Sequence, residues 1–580
     1  MKTLFISLAL IFCFSTYNEI LAQPDSSDIP NTQKTWWKEA VIYQIYPRSF
    51  KDSDGDGVGD LKGIIEKLDY IESLGVNMVW LNPIYSSPNA DNGYDISNYR
   101  EIMDEFGNME DFDLMLSEMH KRGIKFVMDV VVNHSSDEHR WFKESRKSRD
   151  NPYRDYYHWW PAEKGEPNYR YSLFDPKGEA WKYDSKTNAY YLHYFSQKQP
   201  DLNWENPKVR QEVYDIMKFW AEKGVDGFRL DAFQFVSKDT SFPPLPKGYE
   251  KDVIKYYGMG PNLHKYLKEL NREVLSQYDV FAVSEGAGST FEDAHSLVDA
   301  DRNELQMAYH FKGMDVGNSL EGYKLSELKE VYTTWDSAFA KKGWLSIFLA
   351  NHDVPRMVSK FGNDSPEFRA ASSKMLNTFI LTMRGTPYCY YGDELGMTNI
   401  GFDSISQYQD IVAKNGYEKT LNEGGDIEKY MAELKFLSRD NARTPMQWND
   451  SEHAGFTTGT PWLPVNDNYK EVNVEAEDKD PNSCLNYFRE MVNFRMENPV
   501  LVYGAYELLF PDHKQVYAYT RQMGDKKMLI LLNFSKEESS IEIPSEMKEL
   551  QLLKNNLPEV TKQGLDLTLA PYQALIFSYR

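Results

Sequence analysis

Four short stretches of this chain end in ionisable residues of the kind that break bonds. They are Asp129-Val130-Val131-Val132-Asn133-His134, Gly227-Phe228-Arg229-Leu230-Asp231-Ala232, Ala282-Val283-Ser284-Glu285-Gly286 and Ala350-Asn351-His352-Asp353. Each closes a run of apolar, β-favouring residues, so each reads as the end of a strand. A lone Asp past a strand is commonly a turn or helix cap. Four such ends, with two His and an Arg among them, fit a shared site better. Asp231, Glu285 and Asp353 together suit glycoside hydrolysis, whose transition state is an oxocarbenium-like cation. A retaining enzyme needs one carboxylate as nucleophile and one carboxylic acid for the leaving oxygen, about 5–5.5 Å apart. Crowded like charges raise one partner's pKa, which keeps the acid protonated near neutral pH. Arg229 lies two residues before Asp231, on the same side of the strand, and is expected to keep Asp231 ionised. His134 and His352 can donate hydrogen bonds to sugar hydroxyls.

These ends must be brought together by a scaffold. Eight β-like runs occur: Ala40–Tyr46, Asn77–Leu81, Ile124–Val131, Val225–Leu230, Val280–Ser284, Leu305–Phe311, Trp344–Ala350 and Thr386–Tyr391. Amphipathic segments such as Leu61–Leu74, Asp111–Lys121 and Lys208–Lys223 lie between several of them. The alternation predicts an α/β fold with parallel strands and helical crossovers, and eight units predict a (β/α)8 barrel, whose site lies at the strands' C-terminal ends. One interval is too long and rich in Tyr and Trp, which predicts a small inserted domain. After about Phe510 short strands separated by turns predict a C-terminal antiparallel β-sandwich. The expected organisation is therefore a barrel at 36–134 and 205–510, an inserted domain at 135–204 and a β domain at 511–580.

The 580 residues carry 65 Lys and Arg against 88 Asp and Glu, a formal charge of −23, which argues against nucleic-acid binding and against docking on anionic membranes. Met1-Lys2-Thr3, an apolar run from Leu4 to Phe14 and Ile20-Leu21-Ala22 read as a secretory signal over 1–22, cleaved after Ala22 and followed by a linker at 23–35. The run is short for a membrane span of about 20 residues, so an exported chain, periplasmic or secreted and without membrane insertion, is expected. Removal of Cys13 leaves Cys389 and Cys484, too few for a disulfide scaffold, and Cys389 reads as a buried thiol.

The four strand-end motifs resemble the signature regions of the α-amylase family, glycoside hydrolase family 13. Gln199-Pro200-Asp201-Leu202-Asn203-Trp204 resembles its fifth region. Asn92-Gly93-Tyr94-Asp95-Ile96-Ser97 and Arg439-Asp440-Asn441-Ala442-Arg443-Thr444-Pro445-Met446-Gln447-Trp448 are similar to its oligo-1,6-glucosidase and α-glucosidase branch. The resemblance runs from about Trp36 to the C-terminus. It implies Asp231 as nucleophile, Glu285 as general acid/base and Asp353 as transition-state stabiliser. It implies a pocket for one terminal glucose lined by His134, Arg229 and His352, with Tyr94 stacked beneath the sugar. It implies a pair between Asp91 and Arg443 that closes the pocket and makes the enzyme exo-acting. Phe174 and Gln199 are the expected opposite wall.

In this branch the residue after the nucleophile tracks linkage: Val goes with α-1,6 bonds, Ala or Thr with α-1,4. Ala232 thus favours an α-1,4-active α-glucosidase acting on maltose and short oligosaccharides. Oligo-1,6-glucosidase is the alternative. A sucrose isomerase would need an arginine-rich loop that Phe311-Lys312-Gly313-Met314-Asp315-Val316 lacks, and trehalose synthase is a weaker possibility. A binding protein on a dead barrel would lack acids that are all present here. A monomer is expected.

Asp52-Ser53-Asp54-Gly55-Asp56-Gly57-Val58-Gly59-Asp60 places carboxylates on alternate residues, like the start of an EF-hand loop, but the twelfth position is Gly63, where a bidentate Glu would be required. By the resemblance this loop holds a structural Ca2+ through Asp52, Asp54, Asp56, Asp60 and the carbonyl of Val58.

Overall fold

The computed structural model describes residues 35–580. The expected signal and nearly all of the linker lie outside the described residues. Eight strands form one parallel sheet: β1 (Ile42–Ile45), β2 (Met78–Leu81), β3 (Lys125–Val131), β4 (Gly227–Asp231), β5 (Phe281–Ser284), β6 (Met307–Ala308), β7 (Ser346–Ile347) and β8 (Thr386–Tyr390). Neighbours in sequence are neighbours in space, and β8 pairs back onto β1. A single parallel bridge, Ala308 to Leu345, joins β6 to β7 and closes the ring. All eight predicted runs supply a strand.

Alternation within each strand sorts the side chains. Tyr43, Val79, Phe126, Phe228 and Leu230 point outward and pack under the helices. Ile42, Met78, Val127, Phe281 and Val283 fill the interior. One inward layer higher, β3 and β4 switch from apolar to charged, at Asp129, Arg229 and Asp231. The crossover helix Pro207–Glu222 shows why the outer layer forms. Asn206 caps it by accepting the Lys208 N–H, and Pro207 sits at its first position. Val209, Val213, Ile216, Met217 and Trp220 are buried at three- and four-residue spacing, each contributing about 1.5–3 kcal/mol.

Between β3 and its helix lies a three-stranded antiparallel sheet of Trp159–Pro161, Ala189–Leu192 and Trp181–Asp184, within the expected 135–204. The C-terminal unit packs a five-stranded antiparallel sheet on a three-stranded one around Val516, Leu529, Ile541, Leu567 and Phe577. It begins at Ala505 rather than 511, because Ala505–Leu509 pairs with Val516–Met523. That strand buries no residue fully, so its pattern is weak in the sequence. Cys389 and Cys484 are free and buried. No helix among the described residues is long and apolar enough to cross a membrane.

Candidate active site

Arg229 is the centre of the site. Its side chain is only 2% exposed, and its Nη1 donates to Asp129 at 3.0 Å. The same nitrogen bonds Asp231, and Nη2 bonds Glu285. Register explains the grouping. Asp129 of β3 lies opposite Arg229 of β4, and Val131 lies opposite Asp231. The chain after β4 turns sharply at Ala232, which has φ 46°. This frees the Ala232 N–H to donate to Glu285 Oε2 at 2.8 Å.

Three carboxyls around one guanidinium cannot all ionise freely. Burial raises Glu285 to about 8, with Arg229 opposing and the charges of Asp231 and Asp353 adding. Burial likewise raises Asp231 to about 7 against Arg229, with Asp129 adding. Arg229 does favour the ionised form of Asp231, by charge and by hydrogen bond, but it shares that charge with Asp129 and Glu285. The hydrogen bond from Glu285 also lowers Asp231, which places the shared proton of the pair on Glu285.

Asp353 behaves in the opposite way. Burial pushes its pKa up, yet its basic neighbours hold it well below the usual carboxylate range. His352 is pulled down to about 4 by burial, so near neutral pH the holding charges are Arg439 and Arg443. Arg439 Nη1 donates to Asp353 at 3.0 Å and Arg443 Nη2 at 3.1 Å. Gln44 of β1 donates to His352 Nδ1 at 2.9 Å, which leaves the proton of the neutral ring on Nε2, 3.1 Å from Asp353. Tyr94 lies parallel to His352, with ring centroids 5.4 Å apart, and its hydroxyl donates to Asp129 at 3.0 Å.

The expected Asp91–Arg443 pair is replaced. Arg439 Nη2 lies 3.8 Å from Asp91. Arg443 instead donates from Nε to the His352 carbonyl at 2.9 Å. Both arginines belong to the motif quoted above and are four residues apart, so spacing did not tell them apart. Gln199 Nε2 donates to Asp91 at 2.9 Å and stands 3.1 Å from His134 Nε2. Burial lowers His134 to about 3, so its ring is neutral. Phe174 sits under the Arg439 guanidinium, 5.3 Å from it, and so does join this wall. Asp129, Arg439 and Asp410 are the members that the reading of the sequence left out. Asp410 binds Arg439 Nε at 3.0 Å and caps the helix Ile411–Asn422.

The acidic loop lies apart from this cluster. One oxygen each of Asp52, Asp54 and Asp60 converge within 4.8 Å, and Asp56 is outside that group. Asp56 instead accepts the Val58 N–H at 2.7 Å. Three hard oxygen donors suit a hard cation.

A charged ring of acids and one arginine at the C-terminal end of a closed parallel barrel points to sugar chemistry, and the comparisons agree. The model of the α-amylase catalytic domain matches residues 44–504. The chain belongs to the α-amylase family. The maltogenic amylase C-terminal domain matches residues 506–576, close to the observed start at Ala505. The chain is 51% identical over 566 residues to an oligo-1,6-glucosidase of Parageobacillus thermoglucosidasius, covering 94% of this chain and 100% of that one. It is also 51% identical, with the same coverage, to an oligo-1,6-glucosidase of Bacillus cereus. Among solved structures, an isomaltulose synthase mutant from Erwinia rhapontici NX5 in complex with sucrose superposes with a TM-score of 0.92 at 44% identity, covering 95% of this chain and 100% of that one. This α-amylase family member is a glycoside hydrolase acting on oligosaccharides.

Proposed function

We propose that the enzyme is an exo-acting, retaining oligo-1,6-glucosidase that frees the terminal glucose of isomaltose-type oligosaccharides. The observation that carries this reading is the 51% identity to two oligo-1,6-glucosidases over their whole lengths. Ala232 had favoured α-1,4 bonds. A methyl-sized difference in a pocket shifts preference by only about 1–3 kcal/mol, so one side chain does not outweigh full-length similarity.

In this mechanism Asp231 attacks C1 while the C1–O bond breaks and Glu285 passes its proton to the departing oxygen. Water then gives a proton back to Glu285 as its oxygen displaces Asp231 from C1. Asp353, held ionised by Arg439 and Arg443, stabilises the cationic transition state and the sugar hydroxyls near it. Asp91, Arg439, Gln199 and His134 close the pocket behind one glucose.

Glucose release from isomaltose, maltose and sucrose at equal concentration tests the linkage. At least about tenfold higher kcat/KM on isomaltose is expected. Faster maltose cleavage would overturn the reading in favour of an α-1,4 enzyme, and conversion of sucrose to an isomer would overturn it in favour of a synthase.

The proposed structural Ca2+ would be held by Asp52, Asp54 and Asp60 with the Val58 carbonyl, and Asp56 would join only by swinging its carboxylate away from the Val58 N–H. Such an ion would pin the first barrel loop and take no part in bond cleavage. Calcium at about 100 times its Kd adds about 2.7 kcal/mol, so EGTA should lower the melting temperature and Asp54→Asn should abolish the difference. Equal melting temperatures in calcium and EGTA would rule the ion out.

A further inference from the structure

Glu285 is the only acid of the trio followed directly by glycine, and what occupies the space beside that glycine is Gln234. Gly286 has φ +87°, and a Cβ there would overlap the whole carboxamide of Gln234. Gln234 is 2% exposed, and its Oε1 accepts the Gly288 N–H at 3.3 Å. Its own carbonyl accepts the Met259 N–H at 3.0 Å, tying it to the far end of the same loop. Gln234 therefore lies three residues after Asp231 yet rests against the backbone that carries Glu285. Together with the Ala232 N–H on Glu285 Oε2, the turn after β4 grips the acid twice, once at the carboxylate and once at the main chain.

We infer that Gln234 is a positioning residue that fixes Glu285 for proton delivery to the leaving sugar. The inference rests on the proposed role of Glu285 as the acid. Its physical basis is the narrow tolerance of proton transfer, which needs the acid within hydrogen-bond reach of the departing oxygen. A side chain wedged against Gly286 removes the freedom that the glycine would otherwise give this loop. Nothing in the contact bears on Asp231 directly, so attack at C1 should survive its loss.

Leaving groups separate these steps. A sugar alcohol needs a proton to depart, whereas fluoride needs little help. In Gln234→Ala, kcat/KM for isomaltose should fall about 10–100-fold, while that for α-glucosyl fluoride should change less than about threefold. Gln234→Met, which keeps the bulk and loses the bond to Gly288, should show a smaller loss of the same selectivity and guards against misfolding in the first variant. Glu285→Ala, run in parallel, tests the underlying role: it too should spare the fluoride. If Glu285→Ala loses both substrates equally, the acid assignment fails. If Glu285→Ala behaves as expected but the Gln234 variants lose both substrates equally, or neither, the positioning role is overturned.

Discussion

Asp231→Ala is expected to lower kcat/KM for isomaltose by about four orders of magnitude or more, with the fold intact. The fold should survive because Arg229 keeps Asp129 and Glu285, and one buried negative charge is relieved. Azide should restore part of the rate. It would enter the space left by the carboxylate and attack C1 from the same face, giving a β-glucosyl azide whose configuration reports the missing nucleophile. Steady-state kinetics with product NMR would check this. Retention of more than about a tenth of the activity would sink the assignment, since nucleophile removal is not a tenfold effect.

Arg229→Met carries the second large effect, on stability as well as rate. It strips the counter-charge from Asp129, Asp231 and Glu285 at once. Removing one partner of a buried ion pair costs about 3–5 kcal/mol. The cost should depend on pH in a definite direction. Burial already raises Asp129 to about 6, Asp231 to about 7 and Glu285 to about 8, and Arg229 opposes each rise. Without it, all three rise further. A carboxyl raised in the folded state binds protons that the unfolded chain has lost, so its stabilisation is complete below the unfolded value of about 4 and fades through the folded value. Urea denaturation should therefore give parallel curves below about pH 6, with the variant losing further ground as pH climbs through and beyond about 6–8, where the parent's acids ionise and the variant's stay protonated. Curves that stay parallel from about pH 6 to beyond about pH 8 would show that Arg229 does not carry this charge.

The barrel was legible because strands buried on both faces read as apolar runs, and their ends read as punctuation. Strands β6 and β7 were expected as longer runs, Leu305–Phe311 and Trp344–Ala350, but only two residues of each pair as strand. Apart from the Leu345 bridge, most of each run is buried without extending the ladder, and burial alone does not separate strand from packed loop. Asp231, Glu285 and Asp353 were legible because each ends a strand that faces one rim. The partner of Asp91 was not, because Arg439 and Arg443 flank one tight turn and the choice depends on the path of that turn in space. Asp129 was in view as the start of a motif, but its inward direction follows from its register with Arg229. Gln234 carries no sequence signal at all. Its role follows from a glycine 52 positions away, 286 − 234, that leaves it room.

The single bridge between Ala308 and Leu345 gives the ring an uneven stiffness. On one side, β3, β4 and β5 share continuous ladders, and Glu285 itself donates its N–H to Leu230 at 2.9 Å. Asp231 and Glu285 thus sit on the continuously laddered arc, which suits the fixed spacing that the proposed nucleophile and acid require. Asp353 follows β7, on the compliant arc, and is braced by two guanidiniums from beyond β8 rather than by backbone. The least laddered part of the ring thus lies beside Asp353, and the most continuous part beside Asp231 and Glu285.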